Sequence, residues 1–314
     1  MARNSPSQSA FGNRFYHWLN KQCKLPWAYS VRIVRGAKTL STPLEYVQRK
    51  SLAARVAAES PFAQKVKEAD GYWLFQPHEL PGSAAAAASC AAIFDRLQSK
   101  GTLRQLDNNK KRHLRAIVKG EQFANDPDIG RFALSRPVLE VASSYFGTAP
   151  VLSCIALLWS VPTDTAETII SSQHYHLDGE DVRQLKLFLN VWKHDDANGP
   201  LTYFPASTSA RILQSVDRGT KLNAGSTKFD DSQVLSGSSG QHPVRVVGDS
   251  GSGVFLDTSR CIHFGSRHNS KERLMLMLQY GPYNMARESA IPLGPTGWFP
   301  VEGADKLQRS ALRN

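Results

Sequence analysis

The segment Gln173-His174-Tyr175-His176-Leu177-Asp178 sets two imidazoles and a carboxylate at alternate positions. In extended chain alternate side chains share a face, so His174, His176 and Asp178 point together. An imidazole and a carboxylate two residues apart can grip one metal ion. With a third ligand from elsewhere, two His and one carboxylate leave half an octahedron open. That arrangement suits non-haem Fe(II), whose open positions take a co-substrate and O₂.

H-x-D alone is an unspecific pattern. A second match, His194-Asp195-Asp196, lies in the polar stretch Lys193–Pro200 and reads as a solvated turn with Asx-type hydrogen bonding. The first match gains weight downstream. The run Val254–His263 passes from a strand into a polar turn and presents His263, 87 residues after His176. Ten residues later Arg273 opens the apolar strand Arg273–Tyr280. A guanidinium there is costly to bury unless it meets an anion, and its planar fork matches a carboxylate. Pairing with the adjacent Glu272, or reaching solvent, is the plainer alternative for Arg273 taken alone.

These residues need elements to carry them. The first half of the chain reads as helical: Pro43–Ala58, Ser83–Leu97 and Ser135–Phe146 repeat apolar residues at helical intervals. Ser135 stands at an N-cap position, and Gly147 follows the end of the third helix. After Ala149 the texture becomes short runs rich in Val, Ile, Leu and aromatics: Val151–Val161, Thr168–His176, Arg183–Trp192, Leu201–Phe204, Val244–Val247, Gly253–Asp257 and Arg273–Tyr280. Seven strands with no helix between them predict an antiparallel sandwich or barrel. Several are apolar on both faces, so the N-terminal helices are expected to cover the sheet. The Ser-, Gly- and Asp-rich stretch Ala206–Pro243 reads as a flexible loop over one mouth.

The chain has 314 residues, 41% hydrophobic and 21% charged, as soluble globular proteins do. No run approaches the ~18 apolar residues of a membrane span. The four cysteines, Cys23, Cys90, Cys154 and Cys261, form no C-x-x-C pair, which fits a reducing compartment. The net charge of +11 is uneven: residues 1–120 hold 20 Lys/Arg against 7 Asp/Glu, and the rest hold 18 against 20. Seven basic residues precede the first acid, Glu45. Such a segment is most simply a solvated basic arm, with weak association to an anionic surface or organelle targeting as alternatives. A cytoplasmic location is the expectation.

Taken together, these residues resemble the Fe(II)/2-oxoglutarate dioxygenases and, more narrowly, the phytanoyl-CoA dioxygenase family. The resemblance rests on His176-Leu177-Asp178, the strand Leu185–Val191, Asn198-Gly199-Pro200-Leu201 with Phe204-Pro205, and Asp257-Thr258 followed by His263-x-Gly265. It covers roughly residues 130–281. It implies a mainly β fold with α, a double-stranded β-helix or jelly roll of cupin type covered by N-terminal helices. It divides the chain into a basic arm over 1–60, a dioxygenase domain over 61–281 with its core at about 150–281, and a tail over 282–314. It implies that His176, Asp178 and His263 bind Fe(II), and that Arg273 takes the distal carboxylate of 2-oxoglutarate. No catalytic side chain is implied beyond the metal ligands.

Lys186 is a second candidate for the co-substrate. By alternation it lies with Phe188 and Asn190, opposite Leu185, Leu187 and Leu189, and either face could be the interior. The family often has a Ser or Thr two residues after the distal His; Gly265 stands there, with Ser266 as a substitute. His174 reads as a neighbour of the ligands or a packed residue, with substrate contact as the alternative. A carboxylate at 178 favours hydroxylation over halogenation, because halogenating relatives have a small residue there.

The resemblance therefore implies oxidation of a C–H bond in a small-molecule or lipid-type substrate, using O₂ and 2-oxoglutarate and releasing succinate and CO₂. A nucleic-acid oxygenase is disfavoured, since the second Arg expected six residues after the first is Gln279. Two other readings use the same residues: a non-catalytic jelly-roll binding protein, and a cupin-type metal enzyme that does not need Arg273. Substrate and oligomeric state are not readable.

Overall fold

The computed structural model describes residues 8–103, 114–162, 169–216 and 228–312. Three helices open the chain: α1 (Gln8–Lys21), α2 (Trp27–Ser41) and α3 (Pro43–Glu59). The strand β1 (Tyr72–Phe75), helix α4 (Ser83–Ser99), strand β2 (Arg115–Lys119) and helices α5 (Pro127–Ala133) and α6 (Arg136–Phe146) follow. Helical periodicity in the sequence predicts α3, α4 and α6 nearly to the residue. Ser135 does occupy the N-cap position of α6, yet its hydroxyl makes no capping bond; Gly147 closes the helix in the left-handed conformation, with φ 64°.

Next come β3 (Pro150–Ser160), β4 (Tyr175–His176), β5 (Leu185–Asn190) and β6 (Thr202–Tyr203). Then α7 (Ala206–Ser215), β7 (Lys228–Phe229), α8 (Asp231–Gly237), β8 (Val244–Arg245), β9 (Gly253–Leu256), β10 (His263–Phe264), β11 (Arg273–Pro282) and α9 (Lys306–Ala311) complete the order. The expected strand Thr168–His176 shrinks to β4 preceded by a short 3-10 turn at Ser171–Gln173; Thr168 lies outside the described residues.

A six-stranded sheet, β1-β9-β5-β11-β3-β2, faces a five-stranded one, β7-β4-β10-β6-β8, with every pairing antiparallel. This is a cupin-type jelly-roll arrangement with helices outside, and the two sheets do not close into a continuous barrel. Alternation assigns each side chain of the large sheet to a layer. Leu185, Leu187 and Leu189 of β5 join Leu274, Leu276 and Leu278 of β11 in a core shared with Ile93 and Phe94 of α4 and Val138 and Leu139 of α6. The opposite face points between the sheets: Phe188, Met275, Met277, Ala156 and Leu158 pack there with Tyr203 of the small sheet and Val246 just past β8. The two apolar faces of these strands thus serve two separate cores.

Two expectations change. The stretch Ala206–Pro243 is not an irregular loop: α7, β7 and α8 occupy most of its described residues, and residues 217–227 lie outside these. Its apolar residues are too few for the periodicity to show, but Ile212, Phe229 and Val234 suffice to bury it against Tyr175 and Phe204. The stretch after 282, expected as a tail, folds back: Leu293, Phe299 and Leu307 enter the main core. Among the described residues no helix is long and apolar enough to cross a membrane.

Candidate metal centre

β4 and β10 are neighbours in the small sheet, and their register sets His176 directly against His263. The imidazole centroids lie 4.2 Å apart. Tyr175 and Leu177, the alternate residues around His176, are buried on the other face beside Phe204 and Phe229, which holds the strand in one orientation. Asp178 follows just past β4, where its backbone N–H donates to the Thr258 carbonyl at 2.8 Å.

Each imidazole is oriented by the carbonyl two residues before it. His176 Nδ1 donates to His174 O at 2.8 Å, and His263 Nδ1 donates to Cys261 O at 2.9 Å. A carbonyl can only accept, so the proton sits on Nδ1 and the Nε2 lone pair of each neutral ring is left for another partner. Both Nε2 atoms face one carboxylate: His176 Nε2 is 3.9 Å from Asp178 Oδ1, and His263 Nε2 is 3.8 Å from Asp178 Oδ2. One ligand atom from each residue lies within 4.8 Å of the others. The Nε2–carboxylate separations are shorter than two metal–ligand bonds of roughly 2.1 Å laid end to end. Two neutral imidazoles and one carboxylate thus fit a divalent ion, and the donor set suits iron.

The electrostatics agree with that use. Burial, with His176 close by, pushes His263 down to about 3, and burial also lowers His176, so both rings are neutral at ordinary pH. Burial alone would raise Asp178; the Lys186 ammonium, then His263 and His176, more than reverse this and hold it ionised.

Lys186 settles on the face that alternation left open. It points between the sheets and donates to Asp178 Oδ2 at 2.7 Å. Burial would lower its ammonium pKa, but Asp178 and then Glu180 hold it above the usual lysine value. Lys186 is in register with Gln279, six residues along β11 from Arg273. At about 3.3 Å per residue that is roughly 20 Å of strand. Lys186, expected as a second partner for the co-substrate, makes an ion pair with Asp178 in this structure.

Arg273 is 2% exposed at the start of β11. Its Nη2 donates to Ser266 Oγ at 2.6 Å, and that hydroxyl lies 2.8 Å from Ser160 Oγ. Its Nη1 is buried with no hydrogen-bond partner, and burial pushes the guanidinium down to about 10. Glu272 beside it is exposed. A buried, half-used guanidinium is a place for an anion. Gly265 leaves room for it: a Cβ there would sit 3.3 Å from Arg273 Nη2. Ser266, the substitute suggested for the hydroxyl missing at 265, sets its Oγ against Arg273 at a point where a φ of 59° turns the chain.

His194 departs from its reading as a solvated turn residue. It is 2% exposed, and its Nδ1 donates to Asn190 Oδ1 at 2.8 Å. Burial, then the positive charge of Arg273, pushes it down to about 3. Its neighbours in the motif do behave as turn residues: Asp195 Oδ1 accepts from the Ala197 N–H at 2.8 Å, and both Asp195 and Asp196 are exposed. His174 is half-buried and contributes its carbonyl to His176.

Beside Lys186 runs a polar belt that no sequence motif singles out. Gln279 Nε2 donates to Gln184 Oε1 at 3.2 Å, Gln184 Nε2 to Thr258 Oγ1 at 2.9 Å, and Ser289 Oγ to Gln279 Oε1 at 3.0 Å. The signal was present in the alternation, since Gln184, just before β5, and Lys186 share a face, and Arg273 and Gln279 share a face of β11.

No protein-family model matches the sequence, and no curated protein does. Solved structures do show similarity. The epimerase SnoN from nogalamycin biosynthesis, in complex with Fe³⁺, alpha ketoglutarate and nogalamycin RO, is 18% identical; the match covers 81% of this chain and 93% of that one, with a TM-score of 0.48. EctD from S. alaskensis with 2-oxoglutarate and 5-hydroxyectoine is 17% identical over 78% of this chain and 82% of its own, with a TM-score of 0.49. The non-heme monooxygenase ThoJ, as its nickel complex, is 13% identical over 80% and 93%, with a TM-score of 0.43.

Proposed function

We propose that the chain is an Fe(II)/2-oxoglutarate-dependent dioxygenase of the phytanoyl-CoA dioxygenase type that hydroxylates a C–H bond of a small-molecule or lipid-type substrate. The observation that carries this reading is the convergence of His176 and Asp178 with His263 from a second segment, with both Nδ1 atoms engaged and both Nε2 atoms turned to one carboxylate. The buried Nη1 of Arg273 supports the co-substrate half of it.

In this reading His176 and His263 offer their Nε2 lone pairs and Asp178 one oxygen, while Lys186 keeps the other oxygen. Ferrous iron bound there would supply the activation of O₂ that couples 2-oxoglutarate decarboxylation, to succinate and CO₂, with substrate oxidation. Arg273, steadied by Ser266, would take the distal carboxylate of 2-oxoglutarate through a charge-assisted fork. Phe188, Met275, Met277 and Leu158 wall the space between the sheets with apolar surface and keep water from it.

Anaerobic addition of Fe(II) and 2-oxoglutarate should give a weak visible charge-transfer band, and a metabolite screen in air should give succinate with one added oxygen in the product. An isomerised or cyclised product formed with the same succinate would keep the centre and replace hydroxylation. A folded protein that gives no band and binds no divalent metal would leave the second reading, a non-catalytic jelly-roll binding protein. One observation favours that alternative: the ion pair to Lys186 satisfies Asp178 without any metal.

A further inference from the structure

Six of the eleven large apolar side chains that stand exposed among the described residues fall between positions 18 and 47: Trp18, Tyr29, Ile33, Leu40, Leu44 and Val47. Leu40 and Leu44 are 82% and 78% exposed, as open as side chains in an unfolded segment. Their arrangement is regular. At 100° per residue, Tyr29, Ile33 and Leu40 fall within about 40° of one another on α2. The opposite side of the same helix carries Ser30, Val31, Val34 and Lys38, all buried. α2 is thus apolar on two faces, and only one of them meets the rest of the protein. On α3, after the turn, Leu44 and Val47 are exposed as well, and Arg55 stands three turns beyond Leu44 on the same side of that helix.

The charge around this face is mostly positive. Residues 1–60 contain ten Lys/Arg and two acids. Arg14, Lys21, Lys24, Arg32, Lys50 and Arg55 are exposed, while Glu45 is already engaged by Arg49 at 2.8 Å. A second copy of the chain would bring like charges together, which disfavours self-association through this face. Fully exposed leucines add nothing to phosphate-backbone binding, which disfavours a nucleic acid. Aliphatic side chains, a Trp and a Tyr, ringed by cations, match the boundary between acyl chains and acidic headgroups.

We propose that the outer face of α1–α3 docks the protein onto an anionic lipid surface. The contact is peripheral, since no described helix can span a bilayer. It is independent of the metal centre, and it would bring the chain to substrates that partition into lipid.

The test is sedimentation of the full-length protein with vesicles of phosphatidylcholine, alone or with a quarter of phosphatidylglycerol. The protein should sediment with the anionic vesicles only, and salt at about 0.5 M should release it. The triple variant Leu40→Ser/Leu44→Ser/Val47→Ser and the double variant Arg32→Glu/Arg55→Glu should each lose about tenfold or more in vesicle affinity. Circular dichroism should match the native protein, because all five side chains are exposed. The proposal is overturned if neither vesicle binds, or if both variants bind as the native chain does. It is equally overturned if the face proves to hold a second copy, seen as a dimer in light scattering that the triple variant dissolves, or if a duplex oligonucleotide competes the vesicles away without loss in the triple variant.

Discussion

Lys186 Nζ stands 2.7 Å from Asp178 Oδ2, on the carboxylate that both His176 and His263 face. The same acid therefore answers to a buried lysine and to the candidate metal position. This relationship predicts opposite effects of one substitution. Lys186→Met strands a buried Asp178 in the metal-free protein and should cost it about 3 kcal/mol or more. A divalent ion replaces the lost cation, so Mn(II) should restore most of that stability and bind more tightly to the variant than to the native chain. Thermal unfolding with and without Mn(II) reads both effects, and a variant whose unfolding ignores the metal would refute the coupling.

Arg273→Gln should weaken 2-oxoglutarate binding by about 100-fold, the scale of losing one partner of a buried charge pair. Metal affinity should stay within a few-fold, because Arg273 and the triad have no bond in common. Calorimetric titration of the Mn(II)-loaded protein separates the two affinities. Arg273→Lys should recover little, as a point charge cannot reproduce the fork held by Ser266.

Removing the metal should destabilise the fold by mass action. At a free-ion concentration of about 100 times Kd, bound metal adds roughly 2.7 kcal/mol, and exhaustive chelation should lower Tm accordingly. Asp178→Ala should abolish this response. Calorimetry on metal-loaded and chelated samples of both proteins checks it.

His194 makes stability depend on pH. Its folded pKa of about 3 lies below the ordinary 6.5, so the fold favours the neutral ring. The unfolded chain takes up a proton first as pH falls, and stability is full above 6.5 and lost on the way down toward 3. The loss is on the order of 5 kcal/mol at the acid end. Asp257 works against it: burial raises that acid to about 6, so its contribution is present below 3.8 and disappears as pH rises through 6. Denaturant unfolding of His194→Gln beside the native protein at several pH values isolates the first effect, and the gap between them should narrow as pH falls from 6.5 to 4.

Much of this was legible in the amino-acid order because it depends on local periodicity. Alternation in Leu185–Asn190 and Arg273–Tyr280, and the helical intervals of Pro43–Ala58 and Ser83–Leu97, report how adjacent residues share faces, which neighbours alone decide. The alternation of His174, His176 and Asp178 likewise placed two candidate ligands on one side. Short elements such as β7 and β10, two residues each, left no period to read.

What only tertiary structure decided is who meets whom across sheets. Either face of β5 could have been interior, since both are apolar enough; the helices packed on Leu185, Leu187 and Leu189 turned Lys186 inward, onto Asp178. His194 looked solvated because its neighbours Asp195 and Asp196 are, yet the turn tucks the ring against Asn190, near Arg273. The partners of a buried charge are chosen by long-range packing, since desolvation penalises any charge that the completed fold leaves without an answer.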